Sequence, residues 1–226
     1  MMCAPAMRSL AVIALCLALP LPCAAQAGAP VAKPDVKAGD RWVYRRTDYA
    51  RNKPAETYEL RVTFSGRNAI HGLMSGPGGA PSDVTYTSEW NDVVSHQGVV
   101  NLREKGELQF PLVPGASYRI AWDLENPRFN REGGRHERTV KVIGWEEVAV
   151  PAGKFRALKI VSEGTFRPFV VYNMMSHGTA RDTFWYVPEV KRWVRHLHEG
   201  SMPIPGSRGV TERVANGEEL IEFKVQ

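Results

Sequence analysis

Two histidines in one stretch of alternating residues are the first candidates for chemistry. His196 and His198 flank Leu197, and residues two apart in a β-strand project from the same face, so both imidazoles would reach one metal ion. A metal site needs a third and usually a fourth ligand, and the spacing of the other His, Asp and Glu residues supplies none. His196 and His198 therefore stay metal candidates without a complete ligand set, and no cofactor is predicted.

The sequence contains no motif typical of nucleophilic or acid–base catalysis. The nearest approach to a nucleophile elbow, Gly115-Ala116-Ser117, is followed by Tyr118 where that motif requires glycine. The adjacent carboxylates of Glu146-Glu147 and of Glu218-Glu219 would point to opposite faces of a strand and could not share a site. The sequence therefore favours binding over catalysis, with a hydrolase of unrecognised site as an alternative.

Aromatic residues are the more suggestive feature. Several occupy alternating positions in segments with strand character, where they would form the core of a β domain or line an apolar cavity. The residues proposed to line such a cavity are Trp42, Tyr44, Trp122, Trp185 and Trp193.

The elements that must position these side chains are predicted to be strands. From Gly39 onward the apolar residues recur with a period of two, as in Tyr118, Ile120, Trp122 and Leu124, and no segment has a convincing helical period. Further strands are expected over Arg41–Asp48, Thr57–Phe64, Asp83–Trp90, Arg138–Val150, Phe155–Glu163, Arg167–Asn173, Asp182–Val187, Arg192–Glu199 and Glu218–Val225. The predicted fold is all-β with little helix: a single curved antiparallel sheet (a half-barrel) or a β-sandwich.

Three short segments have the composition of turns. Pro151 and Gly153 suit a hairpin between strands ending at Val150 and beginning at Phe155. Pro188–Lys191 is predicted to join two aromatic-rich strands, and Asn216-Gly217 to form a tight turn before the last strand.

The amino terminus has the three parts of a secretory signal peptide. Arg8 precedes the short apolar run Leu10–Leu19, and Ala25-Gln26-Ala27 supplies a small-residue cleavage site. Cleavage is predicted after Ala27, which removes all three cysteines and gives an exported, periplasmic protein. A lipid anchor at Cys23 is the alternative, but Pro22 at the scissile position argues against it.

The rest of the chain is interpreted as one domain. Residues 1–27 are assigned to the signal peptide, residues 28–38 to a flexible lead-in and residues 39–226 to a single β domain. The formal net charge is +5 with both signs interspersed, and no concentrated basic tract suggests nucleic acid as a partner. No apolar run after the leader is long enough for a transmembrane segment.

Four motifs resemble those of a family of exported bacterial proteins of unknown function. They are Gly39-Asp40-Arg41-Trp42-Val43-Tyr44, Phe110-Pro111-Leu112-Val113-Pro114-Gly115, the hairpin Val148–Ile160 containing Val-Pro-Ala-Gly-Lys-Phe, and Trp185-Tyr186-Val187-Pro188-Glu189-Val190-Lys191-Arg192-Trp193-Val194. In the last, Lys191 stands where the family has glycine, which leaves the turn geometry after Pro188 open.

This resemblance implies a curved antiparallel sheet, distantly similar to the half-barrels of the periplasmic lipoprotein carriers (LolA/LolB-like), which hold acyl chains on the concave face. It supplies no functional residues. The function expected first is therefore a periplasmic, non-enzymatic protein that binds or carries an apolar, lipid-like ligand on the concave face. The alternative is an interaction module for an envelope or secretion-associated protein partner.

Overall fold

A computed structural model describes residues 28–95, 98–101, 106–126, 132–168, 177–203 and 211–226. Within these ranges the chain is almost wholly β-structure, as predicted, and its helical element is a single 3-10 turn at Pro188–Val190. The strands are β1 (Arg41–Asp48), β2 (Glu56–Ser65), β3 (Ala69–Ser75), β4 (Ser82–Thr87), β5 (Asp92–Val94), β6 (Val100–Asn101), β7 (Ser117–Asn126), β8 (Glu132–Val150), β9 (Gly153–Pro168), β10 (Gly178–Val187), β11 (Arg192–Pro203) and β12 (Thr211–Lys224). The predicted signal peptide and Cys23 lie outside the described residues, as does most of the predicted strand Arg167–Asn173.

The sheet closes on itself. Each strand pairs antiparallel with its neighbours in chain order, and β1 pairs with both β2 and β12. The expectation of an open half-barrel or a sandwich is therefore wrong: the fold is a closed barrel of 12 strands. Closure satisfies the backbone groups that an edge strand would leave unpaired.

The two predicted turns at proline form as connections between strands. Gly153 has a φ of +140° and opens β9 directly after β8 ends at Val150, which confirms the predicted hairpin. Lys191 adopts the left-handed conformation with φ 61°, so a lysine takes the conformation that glycine adopts most easily. Its Nζ donates to Asp40 Oδ2 at 3.1 Å and to the carbonyl of Gln226 at 2.6 Å, which anchors the turn.

The third predicted turn, Asn216-Gly217, is wrong. Both residues lie inside β12, paired with Asp48 and Thr47 of β1. A Cβ at Gly217 would stand 2.7 Å from the ring of Tyr49, so a larger residue here would require the tyrosine side chain to move.

A row of small residues crosses β9, β10 and β11. Ala180 pairs with Gly164 on one side and with Gly200 on the other. A Cβ at Gly164 would lie 2.7 Å from the Cα of Arg138, so the neighbouring backbones approach too closely for a side chain. Glycines in strand interiors typically mark such bends and close approaches.

The core fills much of the barrel and includes part of the predicted lead-in. Val36 is buried, and Val31 bridges to Leu112 through backbone hydrogen bonds in both directions. Val31 and Val36 therefore pack against the barrel, while the assignment of residues 28–38 to a lead-in and of residues 39–226 to one domain stays a prediction. No helix in the described part of the chain has the length and apolar character that a membrane crossing requires.

Candidate functional site

The strand register brings charged side chains together inside the barrel. Residues that pair directly across neighbouring strands share a face of the sheet, so two rows of paired residues place their side chains side by side. The first row is Ile160, Phe184, His196, Glu218 and Arg46, and the second is Ser162, Asp182, His198, Asn216 and Asp48. Ile160 and Ser162 are fully buried, which identifies this face as the interior.

Asp182 is the centre of the charged cluster. Its Oδ1 lies 2.8 Å from Nε2 of His196 and 2.9 Å from Nδ1 of His198. Its Oδ2 accepts a hydrogen bond from Arg138. Three donors thus converge on one carboxylate that is 4% exposed, which compensates for the loss of its hydration.

Arg138 extends the cluster to a segment between β6 and β7. Its Nη1 donates to Glu107 Oε1 at 2.6 Å, and Ser162 Oγ donates to the same oxygen at 2.8 Å. Arg138 pairs with Gly164, whose missing side chain leaves room for the long arginine to run along the interior.

Glu218 links the cluster to β1. Arg46 donates to Glu218 Oε1 from Nη2 at 2.7 Å and from Nε at 3.0 Å, and Nδ1 of His196 lies 3.6 Å from Oε2 of the same residue. The interior network therefore runs without a break from Arg46 through Glu218, His196, Asp182 and Arg138 to Glu107.

Ionisation of the network follows from these contacts. Burial alone would lower the pKa of His196, but its contacts with Asp182 and Glu218 raise that pKa to about 9. Burial would raise the pKa of Asp182, but Arg138 and the two histidines hold it well below its usual range. Burial would also raise the pKa of Glu218, but its contacts with His196 and Arg46 outweigh burial and lower that pKa. At neutral pH the network is thus a chain of alternating charges.

A cavity of about 180 Å³ lies against one side of this network. Its charged lining consists of Arg46, Asp92, Glu107, Arg192, His196 and Glu218. Its aromatic and aliphatic lining consists of Tyr58, Met74, Tyr86, Trp90, Leu108, Phe184 and Trp193. An outer recess of about 400 Å³ shares Arg46, His196 and Glu218 with it, so these three side chains stand between the inner cavity and the outer recess.

Arg192 is the most unusual group in the cavity wall. It is 2% exposed, and its guanidinium carbon lies 3.9 Å from the ring centre of Trp193, 4.4 Å from that of Trp90 and 5.1 Å from that of Tyr86. Among the described residues its Nε and Nη1 have no hydrogen-bond partner, and no carboxylate forms an ion pair with it. The rings stabilise the cation but supply no negative charge.

The five aromatic residues predicted to line a cavity lie in different parts of the barrel. Trp193 lines the cavity. Trp42 and Tyr44 are fully buried and donate to the carbonyls of Val190 and Trp193, at 2.8 Å and 2.6 Å, so they hold β1 against the β10–β11 connection. Trp122 stacks on His136 with ring centres 4.5 Å apart and is not part of the cavity wall.

Trp185 lies on the outer face and not on the concave face. It pairs with Lys159 and Arg195, both of which lie over its ring, and its Nε1 donates to Glu146. The structure thus brings one of the five aromatic candidates to the cavity and distributes the other four elsewhere.

The two histidines share a carboxylate. Within the described ranges no group of three or more His, Cys, Asp or Glu side chains is arranged to hold a metal ion. Both ring nitrogens of His196 face carboxylates, so this imidazole is held as a cation and has no lone pair to act as a base. The arrangement favours electrostatic positioning over proton abstraction.

Sequence reasoning missed Arg192 and most of the network, namely Arg46, Glu107, Arg138, Asp182 and Glu218. A signal for two of them was present, because Arg138 precedes Val140 and Val142, and Asp182 precedes Phe184, at inward positions of the period-two pattern. A charge at an inward position is rare unless it is paired. Glu107 lies outside any strand and leaves no such signal.

Comparisons with known proteins give similarity of fold. No family model matches the chain, and no curated protein matches it. A solved structure named a "putative lipoprotein", from Parabacteroides distasonis ATCC 8503, is similar with a TM-score of 0.52 at 13% identity, over 87% of this chain and 100% of the other. A "putative exported protein with YmcC-like fold" from Bacteroides fragilis NCTC 9343 gives a TM-score of 0.41 at 12% identity, over 87% of this chain and 100% of its own.

Proposed function

We propose that this protein is an exported, non-enzymatic binding or carrier protein that holds a small ligand with an apolar body inside its barrel. The observation that carries the proposal is the interior cavity of about 180 Å³ beside the network, with its aromatic and aliphatic wall. Ligand sites are typically concave and mostly apolar, with a few placed polar groups.

The cavity volume limits the ligand. An apolar cavity of about 150 Å³ holds one benzene molecule, so the inner cavity fits a single ring or a short alkyl chain. Extension past Arg46, His196 and Glu218 into the outer recess would add space for a longer chain. A single-chain amphiphile therefore fits better than a diacyl lipid.

Two features support binding over the alternatives. His196, Asp182 and Glu218 are saturated by their contacts with one another, which leaves no candidate base among these three residues. β1 pairs with β12 in the closed barrel, which removes the free edges that an interaction module would otherwise find at the first and last strands of the sheet.

The ligand is tested by native mass spectrometry of protein purified from its own cell envelope. We expect an adduct of one small amphiphile per chain. Met74→Trp, which fills the cavity, should abolish the adduct, and Met74→Leu, which conserves volume, should retain it. A clean apo mass together with unchanged tryptophan fluorescence on adding single-chain amphiphiles would exclude the proposal.

Export and anchoring are tested on the same preparation. We expect a mature amino terminus at Gly28, after cleavage behind Ala27, because the leader has the composition of a signal peptide. The name of the Parabacteroides relative favours the alternative, a chain acylated at Cys23. An intact mass beginning at Cys23 with added acyl chains, lost in Cys23→Ser, would establish the anchor.

A further inference from the structure

Within the described part of the chain, no neighbouring carboxylate neutralises the charge of Arg192. It is buried, and among the described residues no carboxylate lies within ion-pair distance and two of its nitrogens lack a hydrogen-bond partner. Removing a charged group from water without pairing it costs several kcal/mol. A buried arginine of this kind at a cavity wall is therefore expected to have its partner in whatever fills the cavity.

The neighbouring tyrosines cannot act as counter-anions. Burial raises the pKa of Tyr44, of Tyr58 and of Tyr86 above the usual value for a phenol. All three side chains remain neutral at physiological pH.

The other cations of the site are already matched. Arg46 is bound to Glu218 at 2.7 Å, and Arg138 to Glu107 and Asp182. His196 lies against Asp182 and Glu218. An anion that enters the cavity would therefore find its unmatched positive charge at Arg192.

The rings around Arg192 also line the cavity. Trp90, Tyr86 and Trp193 approach the guanidinium within 3.9 to 5.1 Å, and all three belong to the cavity wall. A ligand held at Arg192 would thus place its anionic end on the guanidinium and its apolar body on aromatic surface.

We propose that the cavity binds a small monocarboxylic acid, with its carboxylate on Arg192 and its aryl or short alkyl body against Trp90, Met74 and Leu108. A single negative charge balances the single unmatched cation, whereas a dianion would add repulsion from the carboxylates of Asp92, Glu107 and Glu218 in the same wall. This inference rests on the proposed binding function and specifies the chemical class of its ligand.

The test compares acids with neutral analogues of similar shape. Benzoate and hexanoate are titrated against benzyl alcohol and hexan-1-ol by calorimetry and by the fluorescence of tryptophan, since Trp90 and Trp193 line the cavity. We expect the acids to bind about 10- to 100-fold more tightly than the alcohols, because hydrogen bonds to charged groups have that strength.

The variants assign that preference to one residue. Arg192→Met should bring the ratio of the two dissociation constants close to one. Arg195→Met, the same substitution on the outer face over Trp185, should leave the ratio unchanged. If Arg192→Met does not fold, Arg192→Lys, which keeps the charge, should bind the acids more weakly and still prefer them to the alcohols.

The outcomes separate the two proposals. Alcohols and acids that bind the unaltered protein equally well would overturn the carboxylate assignment and leave the binding function in place. A preference for acids that survives Arg192→Met would also overturn it. Failure of every probe to bind the unaltered protein would count against both.

Discussion

Asp182 shows at the residue scale how the barrel interior tolerates charge. Its carboxylate is stabilised by Arg138, His196 and His198 together, and the cations Arg138 and His196 depend on it in return. Removing one member of a buried ion network leaves its partners as uncompensated charges, which is more costly than the absence of the whole network.

We therefore expect Asp182→Asn to lower the free energy of unfolding by roughly 3–5 kcal/mol, measured by urea denaturation. The matched control is Asp123→Asn, which removes a partly exposed carboxylate bound to Arg135 at 3.0 Å. Exposed pairs contribute about 0–1 kcal/mol, so the control should differ little from the unaltered protein. Equal losses in the two variants would contradict the role given to Asp182.

His196 should make stability depend on pH in the alkaline range. Its folded-state pKa of about 9 lies above the ordinary value of 6.5, so its contribution is complete below about pH 6.5 and disappears as the pH rises through 9. Glu218 adds no pH dependence of its own in the alkaline range, because its lowered pKa keeps the carboxylate ionised there.

The measurement is the difference in unfolding free energy between the unaltered protein and His196→Asn. We expect the difference to fall by roughly 3 kcal/mol between about pH 6 and pH 10, at about 1.4 kcal/mol for each pKa unit. A difference that stays constant with pH would show that His196 is not held as a cation by Asp182 and Glu218.

At the scale of elements, the small residues of β9–β11 set the path of the barrel wall. Gly200 pairs with Ala180, and a Cβ at Gly200 would collide with the carbonyl oxygen of Thr179 and lie 3.1 Å from the Cα of Ala180. Both of these atoms belong to the backbone, so the clash can be relieved only if the two strands move apart.

Gly200→Ala should therefore destabilise the fold by roughly 1–3 kcal/mol, the usual cost of overpacking, as measured by thermal and urea unfolding. Gly79→Ala is the control, because a Cβ there meets nothing within 4 Å. A neutral or slightly stabilising effect is expected for the control, from the reduced freedom of the unfolded chain. Similar behaviour of the two variants would contradict the close approach at Gly200.

These elements also show what the sequence could predict. The predicted strand Arg41–Asp48 has the same bounds in the structure, and the hairpin at Gly153 forms, because alternation and turn chemistry are local properties. β5 and β6 span three and two residues, too few for a pattern. Asn216-Gly217 has the composition of a turn, yet pairing with β1, which is distant in sequence, and with β11 places it inside β12.

The candidate site was predictable only in part for the same reason. The alternation around Leu197 predicts that His196 and His198 share a face of the strand. They do share it, and both contact the carboxylate of Asp182. Arg192 carries no local signal at all, since its cage is assembled from β1, β4, β11 and the loop at Trp90. Which aromatic residues meet, and which side of the wall they occupy, is set by register between strands.

At the scale of the molecule, the barrel depends on a seam that joins the first strand to the last. Three arginines of β1 face glutamates of β12 there, in the pairs Arg41–Glu222, Arg45–Glu219 and Arg46–Glu218. The same seam contains Leu220, fully buried and paired with Tyr44. The charged network begins with the pair Arg46–Glu218, which lies in this seam. Pairing of β1 with β12 therefore closes the barrel and completes the network at the same time.

The seam is expected to form late in folding. Tyr44 and Leu220 are separated by almost the whole domain, and contacts so distant in sequence form only after a large loss of chain entropy. The β8–β9 hairpin is local by comparison: Leu158 pairs with Trp145 across a tight turn and is as completely buried as Leu220. The same substitution, leucine to alanine, can therefore be made at two equally buried positions. One has its strand partner nearby in sequence, and the other has it almost a whole domain away.

Leu220→Ala and Leu158→Ala should each lower the unfolding free energy by about 2–5 kcal/mol, but through different rates. We expect Leu220→Ala to accelerate unfolding and leave the folding rate nearly unchanged, because its contacts are absent from the transition state. Leu158→Ala should mainly slow folding. Stopped-flow folding and unfolding rates as a function of urea concentration measure both quantities. Slower folding in Leu220→Ala, with no change in Leu158→Ala, would mean that the barrel closes first and that the long hairpin forms on a wall already in place.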